Sequence, residues 1–387
     1  MPSVTLVEMT TEEFTRRREP MVRQYAQVTA AAGGMTVAEA EALAERETAR
    51  SLPDGPRSAG ELLRTAWVDG EEVGWIWVSR PGRLGPGLAW IDDILVDEKY
   101  RSRGYAQAII ETIEAELVES GVPRLGLNVF GDNDVARRLY ERLGFEVIQQ
   151  QRSRPLGAAP VAVPVAVPVG VPVGVPVGVP VGVPVGVPVG VPVGVPVGVP
   201  VAVPVGVPVG VPGAVPGAVE SPLPGAVESQ VPVAVGSPVA LGPMTSACFQ
   251  RRMESFVASM VADYPTLTAR EAYERAWKSL PHGLGTEDVS VGTVVAEDAE
   301  VGWVCYGRRT PDRPGMGWLH RLDIDPAYRG RGYGTAAVRA VEADLASYGV
   351  GRLGVAVAGG NHGARRLAER LGYTLTAQQM EKNLPVR

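Results

Sequence analysis

A chain of 387 residues is long enough for two ordinary domains, each with a core of its own. Its net charge of −6 argues against a nucleic-acid surface and points to a small partner. Its two cysteines, Cys248 and Cys305, are too few and too isolated for a disulfide framework or a zinc site, which fits a reducing compartment such as the cytoplasm. No apolar run interrupts the charged residues of the first twenty positions, so no secretory signal is expected.

The chain opens with helix-forming sequence, Glu19 to Arg50, in which Thr36 and Glu39 form a capping box ahead of an alanine-rich stretch. "TAWVDGEEVGWIWVS" predicts two strands around an acidic turn, and "AWIDDILVD" a third, so the order is helices first and then an antiparallel meander. An arginine-glycine loop, Arg101-Ser102-Arg103-Gly104-Tyr105-Ala106, then runs into a helix. Its Ile109, Ile110, Ile113 and Leu117 fall on one face, and Gly121 ends it. Asn133 and Asp134 cap a further helix carrying Val135, Leu139, Tyr140 and Leu143, which Gly144 stops before a last strand.

Residues 161 to 212 repeat Val-Gly/Ala-Val-Pro, and a looser Pro, Gly and Val segment continues to about Pro243. This is a low-complexity spacer. Proline at every fourth position removes hydrogen bonds that a membrane-spanning helix must keep, so a transmembrane reading is rejected. The composition resembles elastin-like repeats, which implies an extensible tether prone to self-association.

Beyond the spacer the first copy returns, displaced by 228 positions: "YRSRGYAQ" at 100 becomes "YRGRGYGT" at 328, "VGW" recurs at 73 and 301, and "RLGF" at 142 becomes "RLGY" at 370. Upstream the register slips, because Thr268 to Leu280 has four residues fewer than Thr36 to Leu52, about one helical turn. The expected organisation is a first domain at 1–155, the spacer at 156–243 and a second domain at 244–387.

A strand entering a helix through a glycine loop aims free backbone N–H groups at one point, where the helix dipole also favours negative charge. The arginines add forked donors and the glycine leaves the backbone open, so each loop suits a phosphate. No Gly-Lys-Ser/Thr is present for a Walker loop. The first copy has only one of the glycines that a dinucleotide fold needs.

These loops, the helices of "NVFGDNDVARRLYERLGFEV" and "GNHGARRLAERLGYTL", and the spacing between them, all found twice, resemble the GNAT superfamily of acetyl-CoA-dependent N-acetyltransferases. The resemblance covers roughly a full GNAT domain in each copy. It implies an α/β (α+β) fold, two mixed twisted sheets flanked by helices, in each of which the third strand and the one at "RLGLNVF" splay apart around pantetheine. It maps the coenzyme A diphosphate onto Arg101, Ser102, Arg103, Gly104, Tyr105 and Ala106, and onto Arg329, Gly330, Arg331, Gly332, Tyr333 and Gly334. The pantetheine arm falls on the backbone of Ile94, Leu95 and Val96 and of Leu322, Asp323 and Ile324, with Asn133 and Asn361 bordering the cofactor as helix caps.

The same resemblance makes Tyr140 the proton donor to the departing thiolate, a role that Ala368 cannot fill in the second copy. Asp92 and Asp93 are the general-base candidates of the first copy. As neighbours on a strand they should face opposite sides, so at most one meets the site. The second copy has His320 and Arg321 there, with Asp323 two residues on. Cys305 matches Trp77 and reads as packing. His282, His320 and His362 sit where the first copy has Asp54, Asp92 and Asp134, too scattered for a metal site. The leading expectation is a tandem N-acetyltransferase acting by direct attack on a small-molecule or peptide amine, with no nucleic acid and no membrane as partner. The alternatives are a non-catalytic coenzyme A-binding module, a mycothiol synthase-like enzyme, or a structural protein whose working part is the spacer.

Overall fold

The computed structural model describes residues 3–82, 85, 87–157, 238–263, 268–278, 280–309 and 315–385. The repeats at 161–212, and the tether and self-association expected of them, lie outside the described residues. No helix among the described residues is long and apolar enough to cross a membrane.

The first copy begins with a strand, β1 (Thr5–Glu8), and not with the expected helices. Helices α1 (Thr11–Ala31) and α2 (Val37–Ser51) follow, each held at its start by a reciprocal capping box, Thr10 with Glu13 and Thr36 with Glu39. Strands β2 (Glu61–Val68) and β3 (Glu71–Ser79) form a hairpin whose two turn residues, Asp69 and Gly70, both have positive φ, as a type I′ turn requires. Then come β4 (Leu88–Val96), α3 (Tyr105–Glu119), β5 (Arg124–Phe130), α4 (Asp134–Arg142) and β6 (Glu146–Pro155).

The second copy repeats this order as β7 (Ala240–Pro243), α5 (Ser246–Asp263), α6 (Ala269–Lys278), β8 (Val289–Ala296), β9 (Ala299–Gly307), β10 (Met316–Ile324), α7 (Tyr333–Ser347), β11 (Arg352–Ala358), α8 (His362–Arg370) and β12 (Thr374–Asn383). Strand β7 lies inside the stretch assigned to the spacer. It pairs with β8 as β1 pairs with β2, and Val239 beside it is buried, so the second copy starts before 244. An ion-pair set extends the duplication through the first helix: Arg17 holds Glu72 and Asp97, and Arg252 holds Glu300 and Asp325. The shortened helix is α6, 10 residues against 15 in α2.

All twelve strands join one sheet, in the order β1-β2-β3-β4-β5-β12-β6-β11-β10-β9-β8-β7. The two copies exchange their last strands: β12 pairs antiparallel with β5 of the first copy, and β6 with β11 of the second. Strands β6 and β12 pair with each other at the centre, where the equivalent residues Gln150 and Gln378 face one another and are joined side chain to side chain at 3.4 Å. Residues related by the duplication meet as they do across a two-fold interface. Met380 and Leu384, from the end of the chain, are accordingly buried in the core that α3 and α4 build with the first copy's strands. A second such core lies under α7 and α8, and the opposite sheet face is covered by α1 and α2 over Trp75 and Trp77, and by α5 and α6 over Trp303 and Cys305.

Candidate active site

Strands β4 and β5 are paired only from Leu88–Arg124 to Ile91–Leu127, and β10 and β11 only from Met316–Arg352 to Leu319–Val355. Beyond those points β4 and β10 keep their antiparallel neighbours β3 and β9 on one side. The other edge of Ile94, Leu95 and Val96, and of Leu322, Asp323 and Ile324, therefore has no strand partner and faces the gap.

The gap leads to the two loops. Ser102 and Gly104 have φ of 61° and 81°, and Gly330 and Gly332 have φ of 79° and 86°. The alternating positive φ bends the chain sharply into α3 and α7, and neither helix has a side-chain cap at its first N–H groups. A Cβ added at Gly332 would meet no atom within 4 Å, so the glycine serves backbone conformation and leaves the space above the loop open. Arg101 donates from Nε to the Val96 carbonyl (3.2 Å), and Arg329 to the Ile324 carbonyl (2.7 Å), tying each loop to the end of its strand. Arg103, Tyr105 and Ala106 follow in the first loop, and Arg331, Tyr333 and Gly334 in the second, where Arg329 also pairs with Asp323 at 3.2 Å and Arg331 donates to the Ala327 carbonyl at 3.3 Å. The arrangement fits a diphosphate: an uncapped helix N-terminus, adjacent cations and an open backbone. Asn133 and Asn361 cap α4 and α8 by accepting from the N–H groups of Ala136 (3.1 Å) and Ala364 (3.0 Å).

Asp92 and Asp93 do not face opposite sides as expected. The β3–β4 register runs from Trp77–Asp93 to Val78–Ile91, which leaves Asp92 as the extra residue of a β-bulge. A bulge breaks the strict alternation of side chains, and both carboxylates line one cavity of about 550 Å³ together with Tyr140 and Asn133. His320 occupies the same bulge in β10. Burial raises the Asp93 carboxyl to about 6; the Ile94 N–H that donates to it holds it down, and the charge of Asp92 pushes it up. Tyr140 is only 6% exposed, packs edge-on against Phe145, and is driven well above its ordinary pKa by burial and then by Asp93. A carboxylate that titrates near neutrality thus lies within electrostatic reach of a phenol that stays protonated.

Sequence reasoning missed the groups behind Asp92. Ser79 Oγ lies 2.5 Å from Asp92 Oδ2 and 2.7 Å from Glu61 Oε2, and the Trp77 indole N–H donates to the same Glu61 oxygen at 2.7 Å. The signal was in the duplication, because Trp77, Ser79, Asp92 and Tyr140 become Cys305, Gly307, His320 and Ala368 together, and Glu61 becomes Val289. The acidic side chains of Glu47 and Asp132 also line the first cavity, and among the described residues no lysine or arginine does.

The second copy encloses a cavity of about 390 Å³ with the opposite electrostatics: Arg275, His320 and Arg321 line it, and no described acid does. Burial lowers His320 to about 4, so the imidazole is neutral, and raises the Cys305 thiol to about 12, which agrees with packing and opposes a nucleophilic role. Arg321 lies over the Phe256 ring at 4.5 Å and donates to Ser259 at 3.1 Å. The exchanged strand completes this site, since Gln149 of β6 lines the cavity and accepts from Arg275 at 3.2 Å.

The family model described as "Acetyltransferase (GNAT) family" matches residues 33–145 and 250–373. Among curated proteins the chain is similar to the uncharacterized N-acetyltransferase YdgE of Bacillus subtilis, 31% identical over 36% of this chain and 90% of that protein. Among solved structures it is similar to a GCN5-related N-acetyltransferase of Sphaerobacter thermophilus, 13% identical with a TM-score of 0.47 over 99% of this chain and 97% of that one. It is also similar to a coenzyme A complex of the PaiA N-acetyltransferase of Thermoplasma acidophilum, 15% identical with a TM-score of 0.29 over 38% and 91%.

Proposed function

We propose, from the premise that this chain belongs to the acetyltransferase (GNAT) family and is an acyltransferase with two such domains, that its first copy acetylates a small amine carrying further positive charge, with acetyl-CoA as donor. The observation that carries this reading is the pairing of Asp93 and Tyr140 in one acidic cavity at the point where β4 and β5 part. Four carboxylates and no described cation line that cavity; Glu47 is already paired with Arg50, and Asp92, Asp93 and Asp132 favour a di- or polyamine over an acceptor without a second positive charge.

In this reading the loop from Arg101 to Ala106 holds the diphosphate, and the free edge of Ile94 to Val96 holds the pantetheine amides. Asp93 takes a proton from the ammonium so that the neutral nitrogen attacks the thioester carbonyl. The C–N bond forms as the C–S bond breaks, Tyr140 gives its proton to the leaving thiolate and is reprotonated by the second proton that the nitrogen sheds on becoming an amide, and Asp93 releases the first proton to solvent. Glu61, Ser79 and Asp92 hold the bulge and its charge in place. Preorganised charge beside the reacting atoms is usually the largest contribution to such a rate.

The test is acetyl-CoA consumption by the full chain over matched acceptors. Diamines and polyamines should exceed monoamines of equal length, which lack the second charge, at least tenfold in kcat/KM, and the margin should shrink at high salt. Preference for amino acids or other anionic acceptors would overturn the first-copy assignment and move the chemistry to the cationic cavity of the second.

A further inference from the structure

The two cavities differ most where one residue has been lost. In the first copy Tyr140 closes the floor, and Ile110, Leu139, Leu143 and Phe145 behind it do not reach the cavity. In the second copy Ala368 replaces the tyrosine, and the residues equivalent to those four, Val338, Leu367, Leu371 and Tyr373, all become cavity wall. The Tyr373 hydroxyl donates to Glu342 at 2.8 Å, so the polar end of that ring is satisfied by Glu342. The extension is therefore apolar, and it opens from the gap between β10 and β11, beside the helix position that carries Tyr140 in the first copy.

We propose that the second copy takes coenzyme A thioesters with acyl chains of about four to six carbons, the chain lying in the pocket that Ala368 leaves open. This rests on the coenzyme A reading of the gap and loop. The phenol missing at Ala368 is a six-carbon ring with its oxygen, and an apolar cavity of about 150 Å³ already admits a guest of benzene size. Acetyl would leave that space empty, losing the dispersion contacts of its lining, whereas a butyryl or hexanoyl chain fills it. A ligand that binds the loop but is not a thioester would leave the pocket unused, so the pocket singles out the acyl part of the donor. Arg275 and Arg321 line the same cavity.

The test uses the full chain carrying Gly104→Trp, which obstructs the first copy's loop, titrated calorimetrically with coenzyme A, acetyl-CoA, butyryl-CoA and hexanoyl-CoA. Each methylene buried on binding raises affinity about fourfold, so the four extra methylenes of hexanoyl set a ceiling near 200-fold, and a preference of at least tenfold over acetyl is expected. Adding Ala368→Tyr should reduce that preference below about threefold while the affinity for coenzyme A itself is kept, and the smaller Ala368→Leu should reduce it in part, which covers the case in which the tyrosine does not pack. Equal affinities for acetyl and hexanoyl donors, or a preference that survives both substitutions, would overturn the acyl pocket alone. Absence of binding by coenzyme A and by every thioester would overturn the coenzyme A reading of the second copy, and the pocket with it.

Discussion

In the proposed reaction Asp93 and Tyr140 each carry a measurable signature. Asp93→Asn should abolish the acidic limb of the rate profile, in which activity falls as pH drops below about 6 because the base becomes protonated. The same substitution should stabilise the protein. The carboxyl titrates near 6 when folded and near 4 when unfolded, so the folded state binds the proton more tightly and loses stability as pH rises through that interval. The variant, with no proton to release, should gain up to about 3 kcal/mol at pH 7 by denaturant titration. Tyr140→Phe should lower kcat by about 10²- to 10⁴-fold with little change in acetyl-CoA affinity, since it removes the donor and leaves the packing on Phe145. Tyr140 was legible from the family motif and Asp93 as one of two carboxylates on the third strand, and their geometry was not. Strand alternation separated Asp92 from Asp93, and the bulge that brings them together has no signature in "AWIDDILVD", because it depends on how β4 registers against β3.

At the scale of elements, the exchanged strands make each copy depend on the other. Met380→Ala, a change near the end of the chain, should destabilise the first copy by about 2–4 kcal/mol, because its side chain is fully buried in that copy's core. Hydrogen exchange should show faster amide exchange in β5 than in β8. A fragment spanning residues 1–157 would leave β5 without its neighbour β12, an exposed edge that favours pairing with another chain. Such a fragment should form a homodimer in which each β6 serves the partner; sedimentation that finds a folded monomer would show that β6 can return to its own copy. The starts of α2 and α6 at Thr36 and Thr268, the hairpins and the four-residue slip between α2 and α6 were legible, being set by local capping and turn chemistry, whereas α1 starts at Thr11 and α5 at Ser246, ahead of the expected Glu19 and Phe249. The strands β1 and β7 were not, since four-residue edge strands carry too few residues for alternation to show.

Across the whole molecule, shortening 158–237 to about twenty Gly/Ser-rich residues should leave acetyl-CoA affinity within a factor of two, provided the shorter chain still spans from residue 157 to 238, because a tether acts through effective concentration and not through contact. The duplication, the arginine-glycine loops and the replacement of Tyr140 by Ala368 were determined by the sequence alone, because each is written in local residue order and read at a fixed displacement, whereas the splayed strands were implied only by the family resemblance. Only the tertiary structure decided which copy each final strand completes. Strands β6 and β12 are homologous, with similar length and the same Gln-Gln centre, so each is able to pair with β5 or with β11, and no residue pattern distinguishes the two arrangements. The choice rests on long-range packing: Met380 and Leu384 are buried against the first copy, and Gln149 lines the cavity of the second. For the same reason the opposite charges of the two cavities became visible only once side chains from separate elements, Glu47 and Asp132 in one case and Arg275 and Arg321 in the other, were brought to the same wall.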